Sequence, residues 1–126
     1  LGAAASGLRK SALEKVVLLK DENDTEVWGG YFTFGNNFKV KYLQAEGIFR
    51  NPNIRMTLDY SEDLIFFETI FKKLYTKNKQ FSSLDVMELL VNDQPDICNI
   101  TTDSQKKYEK HILTSPKVKF KKKEKM

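Results

Sequence analysis

The sequence predicts an α/β layered chain, and three observations carry that expectation. A period-2 segment turns directly into a helical one, a second alternating segment lies upstream, and amphipathic helical patterns flank both. Ile54, Met56 and Leu58 alternate with Arg55, Thr57 and Asp59, as a strand would. The period then changes. Leu64, Phe67, Phe71 and Leu74 fall on one helical stripe, with Ile70 beside it. Ser61 is a candidate N-cap, Glu62 and Asp63 sit where the helix dipole favours anions, and Lys72 and Lys73 sit where it favours cations. A strand is therefore expected to end near Asp59. In α/β layers, ligands gather beyond the carboxyl ends of strands.

Upstream, a short helix is expected from about Ser11 to Lys20, with Ser11-x-x-Glu14 as a capping box and Leu13, Val16 and Val17 behind it. Thr25 to Phe34 is ambiguous, because its aromatics favour strand while Gly29-Gly30 favours neither state. Gly35-Asn36-Asn37 reads as a turn and Phe38 to Leu43 as a strand. Gln44 to Pro52 connects to the central strand. Ser82-x-x-Asp85 again has capping-box form, with Leu84, Met87, Leu90 and Val91 behind it, and that helix should stop near Asn92, before Pro95. Thr101 to Lys110 is polar and reads as a solvated helix with Thr102 or Asp103 as its N-cap.

The chain has 126 residues, 40% hydrophobic and 30% charged, which is the length and composition of one globular core rather than of a disordered or membrane chain. No apolar run approaches the ~20 residues that span a bilayer, and Leu1 to Ser6 lacks the pattern of a signal peptide. Cys98 is the single cysteine and His111 the single histidine, so an intrachain disulfide is excluded and a Cys/His zinc site is not expected. A reducing, cytoplasmic setting is the expectation. The net charge of +4 belongs to the end of the chain: Lys117 to Met126 holds six Lys and one Glu, leaving the remainder at −1. Residues 117–126 are expected to form a solvated, disordered tail, with phosphate backbones or an acidic partner as the sharper possibility.

Within this frame the run Arg55-Met-Thr-Leu-Asp59-Tyr-Ser-Glu62-Asp63-Leu64 resembles the R-x-T-V-D-x-P-E-D-L signature of sugar nucleotidyltransferases. The closest group is the cytidylyltransferases of spore-coat polysaccharide and acylneuraminate activation. The chain departs from the pattern at Leu58 and at Tyr60-Ser61, where Thr-Pro is usual. The resemblance covers most of Leu1 to about Ile100, weakly before Gly35 and more specifically from Asn53 onward. It implies residues 1–116 as the C-terminal half of a nucleotide-diphospho-sugar transferase, a Rossmann-like layered sheet with flanking helices. It implies a Mg²⁺-dependent reaction that joins a nucleoside triphosphate, CTP as first choice, to a sugar or sugar phosphate and releases pyrophosphate.

The resemblance assigns Asp59 as the metal ligand, a role that suits a hard cation which takes one or two carboxylates beside substrate phosphates. Without the resemblance, Asp59 reads as a turn residue. Arg55 is a candidate phosphate or sugar contact, against a salt-bridged reading. Glu26 and Trp28 occupy the segment that in the family helps form the sugar side of the pocket, although the usual histidine is missing and Trp28 reads equally as core filler. Glu62 and Asp63 read as structural. The family's Gly-rich phosphate loop is absent, as are G-x-S-x-G, Walker A and G-x-G-x-x-G patterns. The chain alone is therefore expected to be inactive and to need a missing N-terminal half or a second copy. The alternative is a non-enzymatic α+β binding module whose basic tail contacts nucleic acid or an acidic partner, nucleic acid being the less expected of the two.

Overall fold

The computed structural model describes residues 6–21, 28–115 and 118–121. The described residues are 57% helical with 2% strand and no sheet, so the layered α/β expectation is overturned. Its physical reason lies in what alternation specifies. A period-2 pattern favours extended backbone, but a strand also needs a partner to bond its N–H and C=O groups. Among the described residues neither Asn53 to Asp59 nor Phe38 to Leu43 forms a β-ladder: Asn53 lies in a turn, and Ile54 to Asp59 has no regular secondary structure. Ile54 and Arg55 are both buried while Leu58 is 61% exposed, so the expected alternation of buried and exposed side chains is not seen either.

The chain divides into two compact units, Gln44–Ile112 with Leu1–Ala4, and Ala5–Leu43 with Leu113–Met126. The first holds the core. Helix α3 (Ser61–Leu74) turns Asp63, Phe66 and Ile70 inward at i, i+3 and i+7 spacing. Ile54, Val86, Met87, Leu89, Leu90 and Ile97 pack with Phe66 and Ile70. Each such side chain contributes roughly 1.5–3 kcal/mol of burial.

Helix α4 (Ser83–Glu88) begins at the expected cap: the Asp85 N–H donates to Ser82 Oγ at 3.2 Å, and the Ser82 N–H donates back to Asp85 Oδ2 at 2.6 Å. Its last turn widens into a π-turn, Leu89–Asp93, which the Gln94 N–H closes on Leu89 O. Pro95 has no N–H to continue the ladder, and a 3-10 segment, Pro95–Thr101, follows and packs against α3. Helix α5 (Thr102–Thr114) completes the run; it is polar, as expected, with only Ser104 buried.

The second unit contains helix α1 (Lys10–Leu19) and the single-turn helix α2 (Gly30–Thr33), in which Tyr31 and Phe32 are buried. Helix α1 starts one residue before the expected cap, on Arg9 O, and Ser11 does not cap it. Phe120 stacks edge-on against Tyr31, and Lys20 and Phe120 form an isolated antiparallel bridge. Asp21 N donates to Lys119 O at 3.0 Å and Lys121 N to Leu19 O at 2.9 Å. Val118 to Lys121, within the stretch expected as a loose tail, thus belong to this unit; Lys117 and residues 122–126 lie outside the described residues. The chain turns at Gly35 and Asn36, whose φ angles of 78° and 54° are left-handed.

Candidate functional site

The segment before α3 enters the core with Ile54 and Arg55 and leaves it at Asp59. Arg55 is 2% exposed, and a buried guanidinium must be paired to be tolerated. Its partner is Asp63, also fully buried, on the core stripe of α3. Arg55 Nε donates to Asp63 Oδ1 at 2.9 Å and Nη2 donates to Asp63 Oδ2 at 3.0 Å, a bidentate fork. Nη2 also donates to Asp59 Oδ2 at 2.7 Å. Tyr60 and Tyr108 lie over the guanidinium at 5.5 and 5.2 Å.

Asp63 does a second task. Its Oδ2 accepts from the backbone N–H of Asp59 at 2.9 Å and of Tyr60 at 3.0 Å. The N-cap is therefore Tyr60, not Ser61, and the residue at N3 supplies the bonds that close the turn. Beside this, Lys107 Nζ on α5 donates to Glu62 Oε1 at 2.6 Å. Burial pushes the Asp63 carboxyl up, but Arg55 and the two backbone N–H groups together outweigh it and leave the group at about 2. The Arg55 pKa is raised, first by its hydrogen bond to Asp63. Lys107 lowers Glu62, and Glu62 raises Lys107.

Asp59 is the exposed member of the cluster. Its side chain is 51% exposed, and among the described residues Arg55 alone bonds its carboxylate, at Oδ2. As a Mg²⁺ ligand it fits in part: it offers a hard oxygen held in a fixed orientation. Among the described residues no three His, Cys, Asp or Glu come together to hold a metal, so Asp59 is at most one ligand of a site completed by other groups.

The other expected site residues are placed as follows. Arg55 lies inside the cluster, where it positions Asp59 and has no exposed edge toward a phosphate. Trp28 belongs to the second unit, half-exposed and edge-on to Phe32. Glu26 lies outside the described residues. No protein-family model, curated protein or solved structure matches the chain.

Sequence reading missed the Arg55–Asp63 pair, and one signal for it was present. Asp63 shares the stripe of Phe66, Phe67 and Ile70, and an acid on an apolar stripe requires a buried cation.

Proposed function

We propose that Arg55 to Leu64 forms the acidic corner of a Mg²⁺-dependent nucleotidyltransferase of the cytidylyltransferase kind. In that reaction a sugar hydroxyl or phosphate oxygen bonds to the α-phosphorus of CTP, the α–β phosphoanhydride bond breaks, and pyrophosphate departs with its electron pair. The observation that carries the reading is that Arg55, Asp59 and Asp63, the ionic residues of the signature at four-residue intervals, are bonded to one another. The resulting clasp spends two of its members inside and presents the third at the surface.

Each residue then has a task. Asp63 fixes the backbone of Asp59, Arg55 fixes its carboxylate, and Asp59 keeps Oδ1 available as one oxygen ligand. Mg²⁺, when bound there with the triphosphate, would offset the charge on the departing pyrophosphate. The phosphate-holding loop and a second acidic group would come from another polypeptide segment or a second copy, and this chain alone is expected to turn over no substrate.

Mn²⁺ with CTP tests the assignment without turnover. Paramagnetic broadening should concentrate on the amides of Asp59 and Tyr60 and be lost in Asp59→Asn. Broadening that is unchanged in the Asn variant, or is spread over the acidic surface, would reject it.

A second reading, a non-enzymatic binding module, is favoured by how charge is distributed. Residues 5–43 and 113–126 hold twelve Lys and Arg against six Asp and Glu, while 44–112 hold nine against eleven. Binding of an acidic polymer through the basic unit should fall steeply between low and moderate salt. Mn²⁺ with CTP at Asp59 should depend on salt far less.

A further inference from the structure

Helix α3 buries one face and leaves apolar side chains on the other. Asp63, Phe66 and Ile70 are buried, while Leu64, Ile65, Phe71 and Tyr75, the residue that caps its C-terminus, are each about half exposed. Leu64, Glu68, Phe71 and Tyr75 follow one another at i, i+4, i+7 and i+11, a row of turn-to-turn neighbours. The solvent side of a helix is ordinarily polar, and exposed apolar side chains gathered with charged ones mark surfaces that meet another molecule.

The charges on this face say which molecule fits. At 3.6 residues per turn, the line diametrically opposite Ile70 passes between Glu68 and Lys72, with Ile65 and Tyr75 beyond them on either side. Glu68 Oε2 and Lys72 Nζ are 3.8 Å apart and both side chains are exposed, so their mutual pairing is weak and easily exchanged. The order of groups about the level of Ile70 is self-complementary. Reversing the helix exchanges Glu68 with Lys72 and Ile65 with Tyr75. A second α3 laid antiparallel on the first therefore sets acid against base and apolar against apolar, twice over, as a two-fold contact requires. A parallel copy would set Glu68 against Glu68 and Lys72 against Lys72.

We propose that the outer face of α3 is a homodimer contact, packed antiparallel on the same helix of a second copy of this chain. Glu68 pairs with the partner's Lys72 and Ile65 packs on the partner's Tyr75, while Leu64 and Phe71 widen the apolar flank. The proposal rests on no part of the proposed function. A contact made by one short helix buries less than roughly 1,200 Å² in total, so the dimer is weak and reversible, with a Kd on the order of 10–100 μM.

Sedimentation velocity of the full chain from about 10 μM to about 1 mM tests this. The parent should pass from monomer to dimer across that range. Glu68→Lys places four lysines across the contact and Lys72→Glu four glutamates, so each variant alone should weaken self-association by about tenfold or more. An equimolar mixture of the two variants should restore the dimer, because a face with two lysines then meets one with two glutamates. Both positions are exposed, and each variant should melt within about 2 °C of the parent. A parent that stays monomeric at the highest concentration would leave the face to a different partner and overturn the proposal. So would a dimer indifferent to both reversals, or a mixture that fails to re-form it.

Discussion

The two units are both helical, yet they differ in what holds them. Gln44–Ile112 packs eight buried apolar side chains together and also buries an ion pair. In Ala5–Leu43 with Leu113–Met126, Tyr31 and Phe32 are the buried apolar residues among those described, and α1 buries none of its own. Helix α1 leaves Val17 and Leu18 largely in solvent. The lesson concerns where specificity sits. Burying charge costs free energy unless it is paired, so the Arg55–Asp63 pair admits few alternative arrangements, whereas an exposed apolar stripe admits many. The candidate site lies in the unit whose packing is most constrained.

Substitutions should expose that contrast. Asp63→Ala leaves Arg55 buried with its main partner gone and should cost about 3–5 kcal/mol by denaturant unfolding. A loss under ~1 kcal/mol would mean that the pair is open in solution. Ile70→Ala, at 1% exposure, should cost roughly 2–5 kcal/mol through lost burial and the cavity left behind.

Acid should act on the same unit. Asp63 sits at about 2 when folded, below the ordinary value of 3.8. A depressed carboxylate contributes stability above its unfolded pKa and loses it as pH falls through the folded one. Near-neutral stability should therefore drop by about 2 kcal/mol on going from pH 5 to below pH 2, and Asp63→Asn should flatten that part of the profile.

The second unit should respond more weakly. A Cβ at Gly30 would stand 2.6 Å from Val118 Cγ2, so Gly30→Ala should cost roughly 1–3 kcal/mol by denaturant unfolding. Leu18→Ala, at 73% exposure, should stay within about 0.5 kcal/mol of the parent. A large loss there would show that α1 is covered and would remove the contrast.

Helix α3 was legible as a helix because apolar residues recur along it and its charges follow the dipole. Its buried face was misplaced: Leu64 and Phe71 are about half exposed, and Asp63, Phe66 and Ile70 face the core. The Ser82–Asp85 cap was legible because both partners are local. The same pattern at Ser11 misled, since Arg9 O already accepts from Ala12 N and Leu13 N and the helix starts before the serine. The strands at Asn53 and Phe38 were misread for a different reason: alternation is local, but pairing is decided by residues far away in sequence. Asp59 was singled out through the signature, and its exposed place beside Arg55 carried no period of its own. The inward turn of Arg55 was not legible, because its bond to Asp63 crosses a helix start, where neither a 2.0 nor a 3.6 period applies. The 3-10 and π-turns after α4 carried no readable signal beyond Pro95.

The account turns on whether Asp63 holds both Arg55 and the Asp59 backbone. Carboxyl-detected NMR titration of the chain from neutral to strongly acid pH tests that directly. Asp63 should titrate at about 2, and the Asp59 and Tyr60 amides should shift in the same step, because their N–H groups bond its Oδ2. An Asp63 that titrates near 3.8, with those amides insensitive to it, would contradict the clasp and the site built on it.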